Sequence, residues 1–166
     1  MYRRFVIFCA EYLVIPVGGI FFYLSLQAPN GIEQLNILVI GGTLLIISLA
    51  ISKILKRLIN KPRPPIETEF FIPHDKYAFP SGHAAGLFSL TVFILTYDIW
   101  LGIFSSLFSF IVIIARVKSN VHYTDDIIAG SFLGVVVTWV LLPQISNLVT
   151  VYLVPTLLST IPFFNI

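Results

Sequence analysis

The chain has 166 residues, of which 57% are hydrophobic and only 11% are charged, and its mean hydropathy is +0.95. Soluble globular domains carry roughly 25% charged residues, so this composition excludes that class and indicates a polytopic membrane protein. The formal net charge of +2 does not indicate nucleic-acid binding, and the single cysteine, Cys9, excludes an internal disulfide framework or a cysteine-based metal site.

Apolar runs free of charge predict the membrane-spanning helices. They are residues 12–32, 34–52, 77–97, 99–115 and 127–166. A span needs about 17 to 25 apolar residues, so the first four runs supply one helix each, and the last is long enough for two helices divided near Pro143. We therefore predict an all-α transmembrane bundle of about six helices in one domain, residues 1–166, or five if the end with Pro155 and Pro162 only lies on the membrane. The first run is too long for a cleavable signal peptide.

The first predicted helix follows Tyr2-Arg3-Arg4 and runs to about residue 26. Pro16 and Gly18-Gly19 are expected to kink it. Glu11 has two interpretations, a buried functional carboxylate or an interfacial one. A turn is predicted at residues 28–31 from the sequence Ala-Pro-Asn-Gly.

The second predicted helix, residues 34 to 58, ends in a basic segment that three prolines stop. Residues 66–79 form the longest polar connection, and His74-Asp75 within it is interpreted as loop sequence, the alternative being a second His–carboxylate pair. Several basic side chains near the membrane boundaries are interpreted as solvated or headgroup-contacting charges. They are Lys53, Arg57, Lys61, Lys76 and Lys118.

The remaining helices follow from the apolar runs. The third helix is predicted to open at Pro80-Ser81-Gly82-His83 and to end near Asp98. The fourth runs from about residue 100 to residue 115. The fifth starts near His122 and ends before Pro143, and the sixth is the tail.

The order of crossings brings three polar clusters to one side of the bundle. A single loop joins the end of the second helix to the start of the third, and the hairpin of the third and fourth helices returns the chain to the same side. The opposite side, around Glu33, Asp98 and Pro143, contains no Lys or Arg. The three clusters are therefore predicted to form one site. They are the segments 56–63, 80–83 and 116–126.

Part of this set is typical of a site for a phosphate or a similar oxyanion. Lys56, Arg63 and Arg116 supply fixed positive charge. Ser81-Gly82 supplies a hydroxyl group and a helix N-terminus with free N–H groups, a combination that binds oxyanions. Taken singly, such residues are usually headgroup contacts or helix caps, and only their joint occurrence on one side favours the chemical interpretation.

The histidines complete the set. His122 and Asp126 are four residues apart and so share one helical face, where the carboxylate can hold the imidazole tautomer whose other nitrogen attacks. His83 is then the candidate general acid. The alternative for residues 115–126 is an interfacial loop that is polar only because it meets water.

At these residues the chain resembles the type-2 phosphatidic acid phosphatase superfamily, which includes vanadium haloperoxidases and bacterial acid phosphatases. That family's signature has three parts. The first is a Lys followed after six residues by Arg-Pro, and the second is Pro-Ser-Gly-His. The third is Ser-Arg, followed after five residues by His and after three more by Asp. The resemblance spans residues 56–130. The three parts here are Lys56 to Arg63-Pro64, then Pro80-Ser81-Gly82-His83, then Ala115-Arg116 to His122 to Asp126.

Two features depart from the family pattern. Ala115 stands where the family usually has Ser, which is expected to donate a hydrogen bond to the phosphate. Losing such a bond costs about 1 kcal/mol, so we expect weaker phosphate affinity or an altered preference, not inactivity. The chain also has two predicted helices before the first motif, where many six-helix relatives have three.

The resemblance implies that His122 attacks phosphorus and forms a phosphohistidine, that Asp126 orients it, and that His83 protonates the leaving group. Water would then hydrolyse the intermediate. No cofactor and no metal are implied, and resistance to chelators is expected. The implied ligands of the phosphoryl oxygens are Lys56, Arg63, Ser81, Gly82 (through its backbone N–H) and Arg116.

A site at the membrane boundary suits a lipid phosphate that arrives from the bilayer, with no nucleic-acid partner. Phosphatidate, phosphatidylglycerophosphate, a polyprenyl phosphate or diphosphate and a lipid A phosphate all fit, and no oligomeric state is predicted. The side of the membrane is also open. The positive-inside rule places the basic side in the cytoplasm, whereas the resemblance implies an extracytoplasmic site.

Other functions are compatible with the sequence. A phosphotransferase would pass the phosphoryl group to an alcohol, and phosphorylated acceptor in place of free phosphate would identify it. A lipid-phosphate binding or transport protein with a degenerate site is supported only by Ala115, and binding without phosphate release would identify it. A haloperoxidase is disfavoured because those relatives are soluble.

Overall fold

Six α-helices make up the part of the chain described by this computed structural model, residues 2–65 and 75–156. Within that part no strand occurs, and an isolated bridge joins Pro62 to Tyr77. The predicted all-α bundle of about six helices is confirmed. The helices are α1 (Tyr2–Tyr12), α2 (Val14–Leu26), α3 (Gly31–Ile59), α4 (Gly82–Tyr97), α5 (Ile99–Lys118) and α6 (Thr124–Leu148), which a π-helical turn, Val149–Leu153, extends.

The described helices make five crossings, because α1 and α2 together form one of the four candidate spans and α4 adds a shorter apolar helix. Helix α4 is apolar but only 16 residues long, or about 24 Å. Large apolar side chains cover the outside, as with Trp139, which is 77% exposed, and this is the surface expected of helices that face lipid. In the described part of the chain, four segments are long and apolar enough to cross a membrane: Phe5–Leu26, Gly31–Ile59, Ile99–Lys118 and Thr124–Thr156.

Two prolines affect their helices differently. Pro16 cannot donate to the carbonyl four residues earlier, and the first crossing is interrupted at Leu13, which confirms the predicted disturbance. Pro143 lies inside α6, which continues past it. The predicted division of the tail near Pro143 is therefore wrong, because neighbouring groups in a membrane helix satisfy the freed carbonyl. The segment Thr124–Thr156 supplies one crossing, and Pro162 lies outside the described residues.

Helix α4 lies at the centre, packed against α2, α3, α5 and α6. Its buried hydroxyl groups bond to the neighbouring helices. Thr91 Oγ1 lies 2.9 Å from the hydroxyl oxygens of both Ser105 and Ser109 on α5, and Ser89 Oγ lies 2.8 Å from Thr138 Oγ1 on α6. Such bonds between membrane helices contribute roughly 0.6 to 2 kcal/mol each. They fix the rotation of α4 and hence the direction in which its N-terminus presents side chains.

Two glycines allow α6 to approach the backbone of α4. A Cβ atom at Gly130 would collide with the Ser81 carbonyl oxygen, and one at Gly134 would collide with the Ala85 carbonyl oxygen. The close approach lets the Ser81 N–H donate to the Asp126 carbonyl at 2.9 Å. This bond ties together the N-terminal ends of the two helices.

We expect Gly134→Ala to destabilise the protein by about 1 to 3 kcal/mol, because the added methyl group must push α4 and α6 apart. The apparent unfolding temperature in detergent measures the loss. Gly42→Ala on α3 is the matched control, since a Cβ atom there meets nothing within 4 Å. That variant should be neutral or slightly more stable. Equal unfolding temperatures for the two variants would contradict a close-contact role for Gly134.

Candidate active site

The three predicted polar clusters meet at one end of the bundle. Lys56 lies in the last turn of α3, and residues 60–65 leave that helix in an extended segment. Residues 81–83 begin α4, and residues 116–126 include the turn between α5 and α6. Contacts between these segments confirm that the order of crossings brings them together.

The turn between α5 and α6 positions His122. Helix α5 ends at Lys118, and Asn120 adopts a left-handed conformation with φ 56°, which asparagine tolerates better than most residues. The N–H groups of Val121 and His122 then donate to the Arg116 carbonyl at 3.1 and 3.3 Å. The His122 side chain is thereby turned into the protein and is buried.

The two ring nitrogens of His122 face opposite kinds of group. Nδ1 lies 3.4 Å from Asp126 Oδ2, and Nε2 lies 3.4 Å from Arg63 Nη1. Among the described residues Nδ1 has no well-aligned hydrogen-bond acceptor, so the carboxylate acts at this distance mainly through charge. Asp126, one helical turn after His122, is completely buried.

Burial lowers the pKa of His122 far below its ordinary value, and the positive charges of Arg63, Arg116 and Lys56 act in the same direction. The imidazole is therefore neutral at physiological pH and keeps a lone pair on one ring nitrogen. The cations that keep the ring neutral are also groups that attract a phosphate.

Asp126 has more partners than the sequence predicted. Its Oδ2 accepts a hydrogen bond from the Tyr123 N–H at 2.9 Å, and its Oδ1 accepts one from Lys61 Nζ at 2.7 Å. Lys61 also donates to Asp125 at 2.6 Å, and its Nζ lies 4.5 Å from the centre of the Tyr123 ring. Burial opposes the charge on Lys61, but the hydrogen bonds to Asp125 and Asp126 outweigh it and raise the pKa of Lys61. The interpretation of Lys61 as a solvated charge is wrong, because the extended segment after α3 carries it across to α6.

Arg63 and Lys56 both contact Asp75. Arg63 Nη1 donates to the Val121 carbonyl at 3.0 Å, and its Nε donates to the Asp75 carbonyl at 2.8 Å. Lys56, which is buried, places Nζ 3.0 Å from Asp75 Oδ2. The loop interpretation of residues 74–75 therefore missed an ion pair with Lys56. His74 lies outside the described residues.

Arg116 is held by the first crossing. Its Nη1 donates to the Ala10 carbonyl at 3.0 Å and lies 3.7 Å from Glu11 Oε1. Glu11, for which two interpretations were open, is thus an ion-pair partner of Arg116. Ala115 packs against apolar side chains of α1, so the position where the family pattern has Ser faces that helix.

The N-terminus of α4 brings the Pro-Ser-Gly-His segment to the site. Ser81 is fully buried, and its Oγ caps the helix by accepting a long, 3.4 Å hydrogen bond from the Ala84 N–H. Gly82 and the exposed His83 line a cleft of about 520 Å³. Lys56 and Asp75 share the polar end of this cleft. Its apolar wall lies between α2, α3 and α4 and includes Val14, Gly18, Leu45, Leu49, Leu87 and Leu90.

The predicted site residues thus lie at one end of the bundle, but they have different surroundings and different partners. His122 lies between Asp126 and Arg63. The Ser81 backbone bonds to Asp126, whereas Arg116 is bonded to α1. Sequence reasoning missed two residues of the site. Lys61 could have been suspected from its place between Lys56 and Arg63. The sequence offers Asp75 only as a partner of His74 and does not indicate its pairing with Lys56.

The sequence model of the PAP2 superfamily matches residues 37–149. The lipid A 4'-phosphatase of Bacteroides thetaiotaomicron is 32% identical in an alignment of length 81 that covers 45% of this chain and 36% of that protein. The chain therefore spans little more than a third of the length of this curated relative.

Among solved structures, a transmembrane PAP2-type phosphatidylglycerolphosphate phosphatase from Bacillus subtilis is similar with a TM-score of 0.54 and 19% sequence identity. The similarity covers 89% of this chain and 75% of that one. Because the sequence identity is low, this similarity shows a shared fold and nothing about activity. The family match, the order of the three motifs and the bundle that gathers them agree: the chain is a multi-pass integral membrane protein that belongs to the PAP2 superfamily.

Proposed function

We propose that this protein hydrolyses a lipid phosphomonoester or lipid diphosphate through a phosphohistidine formed on His122. The observation that carries the proposal is the environment of that ring, which is buried, with Asp126 facing one nitrogen and Arg63 facing the other. A neutral, oriented imidazole beside fixed positive charge is suited to attack on phosphorus. Two proteins similar to this chain are named as phosphatases of phosphorylated lipids, which supports the reaction class.

In the first half-reaction, Nε2 of His122 attacks phosphorus in line with the ester oxygen. The P–N bond forms as the P–O bond to the lipid breaks, and protonated His83 gives its proton to the leaving oxygen. Catalysis of this kind depends on positioning and on neutralising the equatorial oxygens. The groups proposed to do so are Lys56, Arg63, Ser81, Gly82 through its N–H, and Arg116.

In the second half-reaction, water attacks the phosphohistidine. His83, now neutral, accepts the proton of the water as the P–N bond breaks and inorganic phosphate leaves. The lone pair returns to Nε2 of His122. Asp126 keeps the ring in one orientation throughout, so the same geometry serves both steps.

The cleft supports a lipid as the substrate. Lys56 and His83 lie at its polar end, and leucines from α3 and α4 line the rest. A hydrocarbon chain can stay between α2, α3 and α4 while the phosphate reaches the basic residues. This arrangement favours lipid substrates over soluble phosphate esters.

Purified protein in detergent micelles should release phosphate from at least one of four lipid classes: phosphatidate, phosphatidylglycerophosphate, polyprenyl diphosphate or lipid A. Transfer of phosphate to an added alcohol would instead indicate a phosphotransferase. Binding of all four lipids without release would indicate a binding or transport protein.

We expect His122→Ala to reduce phosphate release to background and His83→Ala to reduce it by about 10²- to 10⁴-fold, the usual contribution of a positioned acid. Asp126→Asn should also lower kcat heavily, because it removes the charge that orients the ring. Rates are measured on the best lipid of the panel, and unfolding temperatures confirm that each variant is folded. Normal turnover by folded His122→Ala would eliminate this mechanism.

Lys61→Met should lower kcat by roughly tenfold or more with little change in KM. The variant removes the hydrogen bond that holds the Asp126 carboxylate in place beside His122. Lys61 has a raised pKa and stays charged throughout the assay range, so the effect of the substitution should not vary with pH. Lys118→Met, at the exposed end of α5, is the control. A lower unfolding temperature with an unchanged kcat would show that Lys61 has only a structural role.

We expect EDTA to leave the rate unchanged, since Lys56, Arg63 and Arg116 already provide the positive charge that a metal ion would supply. The assay compares initial rates before and after chelation and dialysis. Loss of activity that returns with a divalent cation would show that the proposed ligand set is incomplete.

A further inference from the structure

Asp75 contacts two of the proposed phosphate-binding cations. Its carboxylate lies 3.0 Å from Lys56 Nζ, and its backbone carbonyl accepts the Arg63 Nε–H at 2.8 Å. The Lys56 side chain is only 8% exposed, so little of the ammonium group is open to another anion. An anion that is to be bound by Lys56 must therefore compete with Asp75.

We propose that Asp75 is a selectivity residue, whose carboxylate holds the anion position beside Lys56 against monoanionic phosphodiesters and gives way to a phosphomonoester dianion. This inference rests on the proposed function and names the class of lipid that the site refuses. Phosphodiesters are the bulk headgroups of a membrane, so a lipid phosphatase in a bilayer is surrounded by them.

The selectivity follows from charge and from tethering. Asp75 is attached to the chain, so its effective concentration at Lys56 is high, typically millimolar for a flexible attachment. A phosphodiester brings one negative charge, which is no more than the carboxylate already supplies. A phosphomonoester carries about −1.5 to −2 at neutral pH and gains more from the other cations. Only a phosphomonoester lipid is therefore favoured over the Asp75 carboxylate as the anion beside Lys56.

Asp75 can leave Lys56 without disturbing the rest of the site. Its side chain is 45% exposed and opens into the cleft, so the displaced carboxylate passes into water. Arg63 holds the backbone carbonyl of Asp75 rather than its side chain, and that bond survives a rotation of the carboxylate. The hydrogen bond from Lys56 lowers the pKa of Asp75, so the carboxylate stays charged at neutral pH.

The apolar wall of the cleft does not supply this discrimination. Leu45, Leu49, Leu87 and Leu90 accept hydrocarbon chains, which phosphomonoester and phosphodiester lipids share. The choice between the two kinds of lipid therefore has to be made at the headgroup, where Asp75 lies.

The test compares wild type with Asp75→Asn, which removes the charge and keeps the shape. Glu33→Gln is the matched control, because Glu33 is an exposed carboxylate at the opposite end of the bundle. Two quantities are measured in micelles of neutral detergent: KM for the best phosphomonoester lipid, and the inhibition of its hydrolysis by phosphatidylglycerol, a monoanionic phosphodiester.

We expect Asp75→Asn to lower KM several-fold and to make inhibition by phosphatidylglycerol at least tenfold stronger, while Glu33→Gln changes neither. A rise in KM with a fall in kcat would overturn the proposal, since it would show that Asp75 only holds Lys56 in place. Unchanged inhibition by phosphatidylglycerol would overturn it as well.

Direct binding separates this inference from the proposed function and does not depend on the folding of a variant. Wild-type protein should bind radiolabelled orthophosphate, and dimethyl phosphate should displace it at least tenfold more weakly than unlabelled orthophosphate. If that selectivity holds but no lipid is hydrolysed, the proposed function fails alone. If lipid is hydrolysed and dimethyl phosphate competes equally, the role of Asp75 fails alone.

Discussion

The position of His122 depends on the hydrogen bonds that converge on Asp126. Its backbone carbonyl accepts from Ser81 at the start of α4, its Oδ1 accepts from Lys61 of the segment after α3, and its Oδ2 accepts from Tyr123. The three motifs, which are far apart in sequence, are thus joined at one residue. Since Asp126 is completely buried, each of these bonds replaces one that water would otherwise make. The position of His122 follows from them.

Three of the cations at this end of the bundle lie next to carboxylates before any ligand arrives. Lys56 faces Asp75, Lys61 faces Asp125 and Asp126, and Arg116 faces Glu11. Removing an unpaired charge from water costs several kcal/mol, so a cluster of cations at the edge of a membrane would not persist without such partners. Because of this pairing, a phosphate group that bound beside these cations would have to exchange with existing contacts.

The location of the site could be predicted because charge is rare in this chain. The basic residues stand at the ends of apolar runs, so the order of crossings decides which of them share a side. Spacing alone placed His122 and Asp126 one helical turn apart. The order of crossings and the spacing could not predict which carboxylate each basic residue contacts. Lys61 and Arg57 look alike in sequence, yet one bonds to Asp126 and the other is exposed.

The direction of the chain after α3 explains that difference. Asn60 adopts a left-handed conformation with φ 54°, and the residues after it run toward α6, so Lys61 is carried to the carboxylates. No local pattern specifies where such a segment goes. The error at Pro143 has another origin: a proline that would end a helix in water is tolerated in α6, because packing and lipid leave the backbone no better alternative.

The short length of α4 has an electrical consequence. At about 24 Å it falls short of the roughly 30 Å hydrocarbon core, whereas its neighbour α3 has 29 residues. The N-terminus of α4 can therefore lie below the ends of the longer helices, with low-dielectric material around it. Walls of this kind strengthen every charge interaction at the site, the internal ion pairs included. A phosphate group that bound beside Lys56 would therefore gain more from it than at an exposed surface, and salt in the solution would weaken that contact less.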